Sequence, residues 1–251
     1  MDWLNKGAKH KIMKTTFIKT AFVSASLIAS GASAIKADVI ADWTFETSVP
    51  ATAGPFSPEQ GSGSASGSHA GAAVYSSPSG NGSSHSFSST LWAIGDYYQF
   101  QVSTLGYTGV SIQWDQTSSG TGPGTFGLFY SVNGGSYAQI GANYTVLVNG
   151  APNTPWSLAN GYQSLYTFTP DLSSLGTALE NATTVAFRLI DENTTSANNG
   201  TVGTGGTDRV DNFTVTAVPE PVNLALGVFG GVMGLVALVR SKPLKRLCGK
   251  I

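Results

Sequence analysis

Apolar and polar side chains alternate along the middle of this chain in short runs, and clusters of Gly, Ser, Asn and Pro separate the runs. In Val110-Ser111-Ile112-Gln113-Trp114 the apolar residues fall two apart, as do Phe126, Leu128 and Tyr130. A period of two puts each set on one face of an extended strand, so these segments are half-buried strands and not helices. The same reading gives strands at Val39–Phe45, Ala72–Tyr75, Tyr97–Val102, Val110–Gln116, Phe126–Val132, Tyr137–Ile140, Tyr144–Val148, Gln163–Phe168, Val185–Asp191 and Val210–Thr216. Asn133-Gly134-Gly135 sits between two of them and reads as a hairpin turn, because Asn and Gly tolerate the positive φ that tight turns need. Leu172–Glu180 fits a short helix or turn. Evenly spaced short strands predict an all-β fold, an antiparallel β-sandwich with jelly-roll topology. Two stretches look too polar to pack, Ser57–Ser89 and Asn193–Gly206. They read as long loops, either surface decoration or binding surface.

Residues 38–217 contain neither Cys nor Met, so disulfides are excluded and the core has to come from aromatic and β-branched packing. Four Trp, nine Tyr and nine Phe supply it. Charge is just as segregated. Of the 13 Lys and Arg, six lie in residues 1–37 and five in 240–251. What remains in 38–217 is Arg188 and Arg209 against 12 carboxylates, with no Lys at all. Such an acidic surface argues against nucleic acid or anionic lipid as partners, since phosphate contacts need cations. It is compatible with divalent cations.

The two ends read as targeting segments. Lys11, Lys14 and Lys19 precede the apolar run Ala21–Ala29, and Gly31-Ala32-Ser33-Ala34 follows, which is the order of a secretory signal peptide acted on by signal peptidase. Residues 1–37 are therefore assigned to it, with Met13 a natural start and the first 12 residues an upstream extension. At the other end, Val218-Pro219-Glu220-Pro221 is followed by an apolar stretch at about 222–239 and then by Arg240, Lys242, Lys245 and Arg246. Eighteen residues as a helix span roughly 27 Å, close to a hydrocarbon core of about 30 Å. The basic tail predicts a cytoplasmic C-terminus, and the prolines predict an exposed, non-helical strip before the span. This order in residues 218–251 resembles the sorting signal of PEP-CTERM proteins, substrates of an exosortase-type protease in Gram-negative bacteria that make exopolysaccharide. The resemblance implies an inner-membrane precursor that is processed and delivered to the cell surface or extracellular matrix.

Catalytic constellations are sparse. His69 and His85 lie in the Gly/Ser-rich stretch without a nucleophile elbow or a His pair, and Asp191 and Glu192 are adjacent on a strand, pointing to opposite faces. Asp171 reads as a helix or turn cap. Asp208-Arg209-Val210-Asp211-Asn212-Phe213-Thr214-Val215 resembles the closing strand of carbohydrate-binding jelly rolls, which implies a structural Ca²⁺ between Asp211 and an acidic residue near the first strand, here Glu46. The alternative is a solvated strand end with Asp211 paired to Arg209 or Arg188. Trp92, Trp114, Trp156, Tyr97 and Tyr98 are candidates for a sugar-stacking platform, with Trp92, Trp156 and Tyr98 the leading three; Trp43 and Trp114, on alternating strands, read first as core, and Trp156, after Pro155 in a loop, reads as exposed. Three functions follow from these residues. The first is a non-enzymatic surface or matrix protein, the second a carbohydrate-binding module acting on exopolysaccharide, and the third a glycan hydrolase.

Overall fold

The computed structural model describes residues 36–220 and 229–233. The chain divides into a unit of Met1–Lys36 and a unit of Ala37–Ile251. The signal-peptide assignment falls almost wholly outside the described residues, as do Pro221, the basic residues Arg240, Lys242, Lys245 and Arg246, and most of the apolar run. Of that run, a short helical segment at 229–233 is described. Among the described residues no helix is long and apolar enough to cross a membrane.

The second unit is an antiparallel β-sandwich. Its strands are β1 (Asp38–Trp43), β2 (Gln60–Gly61), β3 (Ser64–Ser68), β4 (Tyr75–Ser76), β5 (Phe87–Ser89), β6 (Tyr97–Val102), β7 (Tyr107–Ser118), β8 (Thr125–Val132), β9 (Ala138–Thr145), β10 (Thr167–Phe168), β11 (Val185–Asp191) and β12 (Asp208–Pro219). One sheet has the order β10-β7-β12-β1-β2, with β5 and β4 joined to β12, and the other has the order β3-β6-β11-β8-β9. From β5 onward the chain changes sheet at every strand except across the β8–β9 hairpin. The first and last long strands are neighbours, with Trp43 opposite Phe213.

Alternation aims one face of each sheet into a shared aromatic core. Phe100 of β6 stacks on Phe213 of β12 at 3.7 Å, and Trp43 meets both edge-on, so rings from opposite sheets interlock. Trp43, Phe45, Phe87, Phe126, Phe187 and Leu189 are all fully buried around them. Burial of this much ring surface is the main favourable term holding the two sheets together.

Four local readings differ from the sequence expectation. Ser57–Ser89 is not loop throughout, since it contributes β2 to β5, of which β4 overlaps the strand expected at Ala72–Tyr75 at Tyr75. Its small residues are there because large rings lie over them: a Cβ on Gly63 would sit 2.8 Å from the Trp43 ring, and one on Gly67 2.6 Å from the Tyr75 ring. The two strands expected at Tyr137–Ile140 and Tyr144–Val148 are one strand, β9, irregular where Gly141 takes φ +67° and the pairing with β8 slips between Phe126 and Leu128. That is a bulge. Within Gln163–Phe168 only the last two residues are strand; Ser164–Tyr166 forms a 3-10 turn that buries Tyr166 against Trp156, where its hydroxyl donates to the Thr154 carbonyl. Finally, Val218 and Pro219 are no free strip. They extend β12 opposite Thr108 and Tyr107, and the Glu220 N–H donates to the Gly106 carbonyl at 2.8 Å. β1 begins only at Asp38, opposite Ala217, so the missing N–H of Pro219 breaks no bond to that strand. The hairpin at Asn133-Gly134 is as expected, with φ of +51° and +75°.

Candidate functional site

On the outer face of the five-stranded sheet, strand register lines up one residue from each strand. Ser66 of β3 pairs with Gln99 of β6, Gln99 with Arg188 of β11, Arg188 with Phe129 of β8, and Phe129 with Gln139 of β9. Four strand spacings make this row roughly 19 Å long. Alternation explains its position: in β11, Phe187, Leu189 and Asp191 point into the core, leaving Ala186, Arg188 and Ile190 on the outside.

Arg188 is the centre of the row. Its Cζ lies 3.9 Å from the centroid of Tyr97 and 3.8 Å from that of Tyr137. Its Nε donates to Gln99 Oε1 at 2.9 Å, and the Tyr137 hydroxyl donates to the same oxygen at 2.9 Å. Two rings and one amide thus fix a guanidinium on a half-exposed face. Phe129 leans over Gly127, whose place would not accept a Cβ without moving that ring. Flat, half-exposed rings beside fixed polar groups are what a sugar face stacks and hydrogen-bonds against.

The residues singled out in the sequence fall elsewhere. Trp92, Trp156 and Tyr98 are 6%, 3% and 0% exposed, so none offers a ring face to a ligand. Trp92 packs against Tyr98 and Phe126, and its indole N–H donates to Ser89; Tyr98 fills the core and donates to the Asp208 carbonyl. Trp156 follows a proline in a loop, but that loop folds back onto Tyr166. Trp114 is buried in the core, as its place on an alternating strand predicts. Of the five aromatic candidates only Tyr97 faces outward, one residue from Tyr98 on the opposite side of the same strand.

Glu46 and Asp211 accept hydrogen bonds from one and the same segment. Asp211 Oδ2 accepts from the Asn81 N–H and the Ser83 hydroxyl, and Glu46 Oε1 accepts from the His85 N–H, so both carboxylates hold the 79–86 segment. Among the described residues no group of three or more His, Cys, Asp or Glu is gathered to hold a metal. Nor is Asp211 a solvated strand end. It is fully buried, and burial pushes its carboxyl up to about 8. Arg209 donates instead to the Ser79 carbonyl. Asp171 caps the turn at Ser173, as expected.

His69, Asp96 and Ser89 fall in an order that resembles a hydrolytic triad: Nδ1 lies 3.0 Å from Asp96 Oδ2 and Nε2 lies 2.9 Å from Ser89 Oγ. Access decides its meaning. The side chains of His69 and Asp96 are 1% and 3% exposed, Ser89 is completely buried, and its hydroxyl is also bonded to Tyr98. The Ser89 hydroxyl is thus closed to solvent in this structure, and burial lowers the His69 pKa. The cluster ties β5 and β6 to the segment before β4. Another opening, a cleft of about 370 Å³ between the sheets beside Phe168, is lined by Trp114, Leu128, Ile140 and Tyr144 and carries few polar groups to orient a ligand.

No protein-family model matches the chain, and no curated protein matches it. Among solved structures it is similar to the K2 cleaved adhesin domain of Lys-gingipain, at 15% identity and a TM-score of 0.39, over 69% of this chain and 97% of that one. It is also similar to the CBM22-2 xylan-binding domain from Paenibacillus barcinonensis, at 14% identity and a TM-score of 0.37, over 70% of this chain and 98% of that one. A third likeness is to TmCBM61 in complex with β-1,4-galactotriose, at 12% identity and a TM-score of 0.31, over 60% and 85%. At these scores the likeness carries nothing about function.

Proposed function

We propose that this chain is a non-enzymatic, exported cell-surface protein whose β-sandwich binds glycan across the outer face of the five-stranded sheet. The observation that carries the binding half is the row through Gln99, Arg188 and Phe129 with Tyr97 and Tyr137 around it, a polar and aromatic face where a sheet with no ligand needs only solvated side chains. The export half rests on sequence, on the signal-peptide order at the start and the PEP-CTERM-like order at 218–251. Signal peptidase, an exosortase-type protease and the inner membrane are its processing partners in this reading, and exopolysaccharide is the ligand's source.

A glycan array probed with the full-length protein in mild detergent tests the binding half. Tyr97→Ala and Phe129→Ala should each weaken the best interaction by about threefold or more, from the loss of a ring contact. Trp156→Ala should change binding little, since that ring is buried away from the face. If the array is blank, or if Tyr97→Ala and Phe129→Ala bind as the native protein does, the face is not a glycan site.

A further inference from the structure

Resting on that glycan-binding reading, we propose that the face selects acidic glycans, and that Arg188 reads the carboxylate of a uronate residue. Three observations point there. Arg188 is one of only two cations in residues 38–217, against 12 carboxylates, so opposite charge is abundant on the molecule. Yet none of it is spent on Arg188: among the described residues the one close contact between a basic and an acidic side chain is His69 with Asp96, and no carboxylate there lies within 4 Å of the guanidinium. Glu192 lies over Gly127 beside the Phe129 ring, and Gly127 pairs with Ile190, one row from Arg188. And the guanidinium is already fixed, by the rings of Tyr97 and Tyr137 and by the bond from Nε to Gln99.

A guanidinium held by its Nε side presents its Nη donors as a planar fork, which matches the two oxygens of a carboxylate. Most of the entropy of holding such a long side chain is lost before ligand arrives, so each new bond costs less. Neutral sugars need no cation, and a surface this acidic would not place one at the centre of its aromatic face for solubility. The domain's net negative charge does oppose a polyanion. Screening confines that repulsion to about 8 Å at physiological ionic strength, while the contact at Arg188 is made at hydrogen-bond distance.

The test compares polygalacturonate, alginate and hyaluronate, each beside its methyl-esterified form, which keeps the sugar backbone and removes the charge. Full-length protein should bind at least one acid form about tenfold more tightly than its ester. Arg188→Gln should bind acid and ester forms equally, whatever its overall loss of affinity, and Arg188→Lys should keep part of the preference. Equal binding of acid and ester by the native protein would overturn the acidic selectivity and leave the glycan reading standing. An acid preference that survives in Arg188→Gln would overturn the role of Arg188. If neither acids nor esters bind and the array is also blank, both readings fall together; if the array is positive for neutral glycans alone, only this one does.

Discussion

Asp211 is the residue where sequence expectation and structure diverge most usefully. A carboxylate at the end of the closing strand looks solvated when read along the chain, but a segment 130 residues earlier folds over it and donates to Oδ2 from Asn81 and Ser83. Burial raises its pKa to about 8 and that of Asp191 to about 7, and raises Asp208 and Asp115 as well. All four therefore keep protons in the fold that the unfolded chain gives up near pH 4. Stability should fall as pH rises from about 4, through about 7 for Asp191 and about 8 for Asp211, by up to about 1.4 kcal/mol per pH unit for each group while it titrates. His69 works the other way. Its lowered pKa means the stability it contributes is present above about 6.5 and lost in acid. The melting temperature should thus be lower at pH 8.5 than at pH 6.5, and Asp211→Asn should flatten that alkaline decline. A native profile that is level between those two pH values would show that Asp211 is not buried as a neutral acid.

Among the elements, β3 owes its existence to residues too small to advertise a strand. Gly63 lies just before it, where an added Cβ would meet the Gln101 carbonyl at 2.5 Å and the Trp43 ring at 2.8 Å. Gly63→Ala should cost about 1–3 kcal/mol through overpacking. Gly71→Ala is the control, because nothing lies within 4 Å of its Cβ, and it should be close to neutral. Equal denaturation midpoints for the two variants would mean that Trp43 does not press on this edge. The same contrast explains what was legible. β6, β8 and β11 were read at or within a residue of their true bounds because large apolar residues recur at every second position and the core takes each of them. β2 to β5 carry only two large rings, Tyr75 and Phe87, and Trp43 of β1 packs against the glycine just before β3. For the site, the failure had a different cause. Aromatic type does not reveal which side of a strand faces out: Tyr97 and Tyr98 are neighbours with opposite fates, and the 3-10 turn that covers Trp156 has no sequence period. A lone cation in the middle of β11, in a domain with only two, was the available signal.

For the whole molecule, the consequence of the fold is that the sandwich and the proposed sorting signal share a strand. β12 runs from Asp208 to Pro219 without a linker, and the Glu220 N–H is bonded to Gly106, so the Pro-Glu-Pro element begins on the body of the domain. In the folded sandwich the backbone of Val218 to Glu220 is therefore held on β7 and the turn before it. Between Asp211 and Arg240 the one charged side chain is Glu220, set between two prolines that exclude helix, so a recognising enzyme has a single carboxylate at a fixed place. Glu220→Ala keeps the backbone bond to Gly106 and leaves the apolar run intact. Membrane insertion and domain stability should therefore be unchanged, while conversion to a shorter form should stop in a host that carries an exosortase, read as a persistent precursor band on a gel. Gly106→Pro is the complement: it retains Glu220 but strains the turn that presents the acceptor carbonyl, and it should alter the rate of conversion without abolishing it. Normal processing of Glu220→Ala would mean that the apolar run and basic tail are sufficient, and the PEP-CTERM assignment would lose its main support.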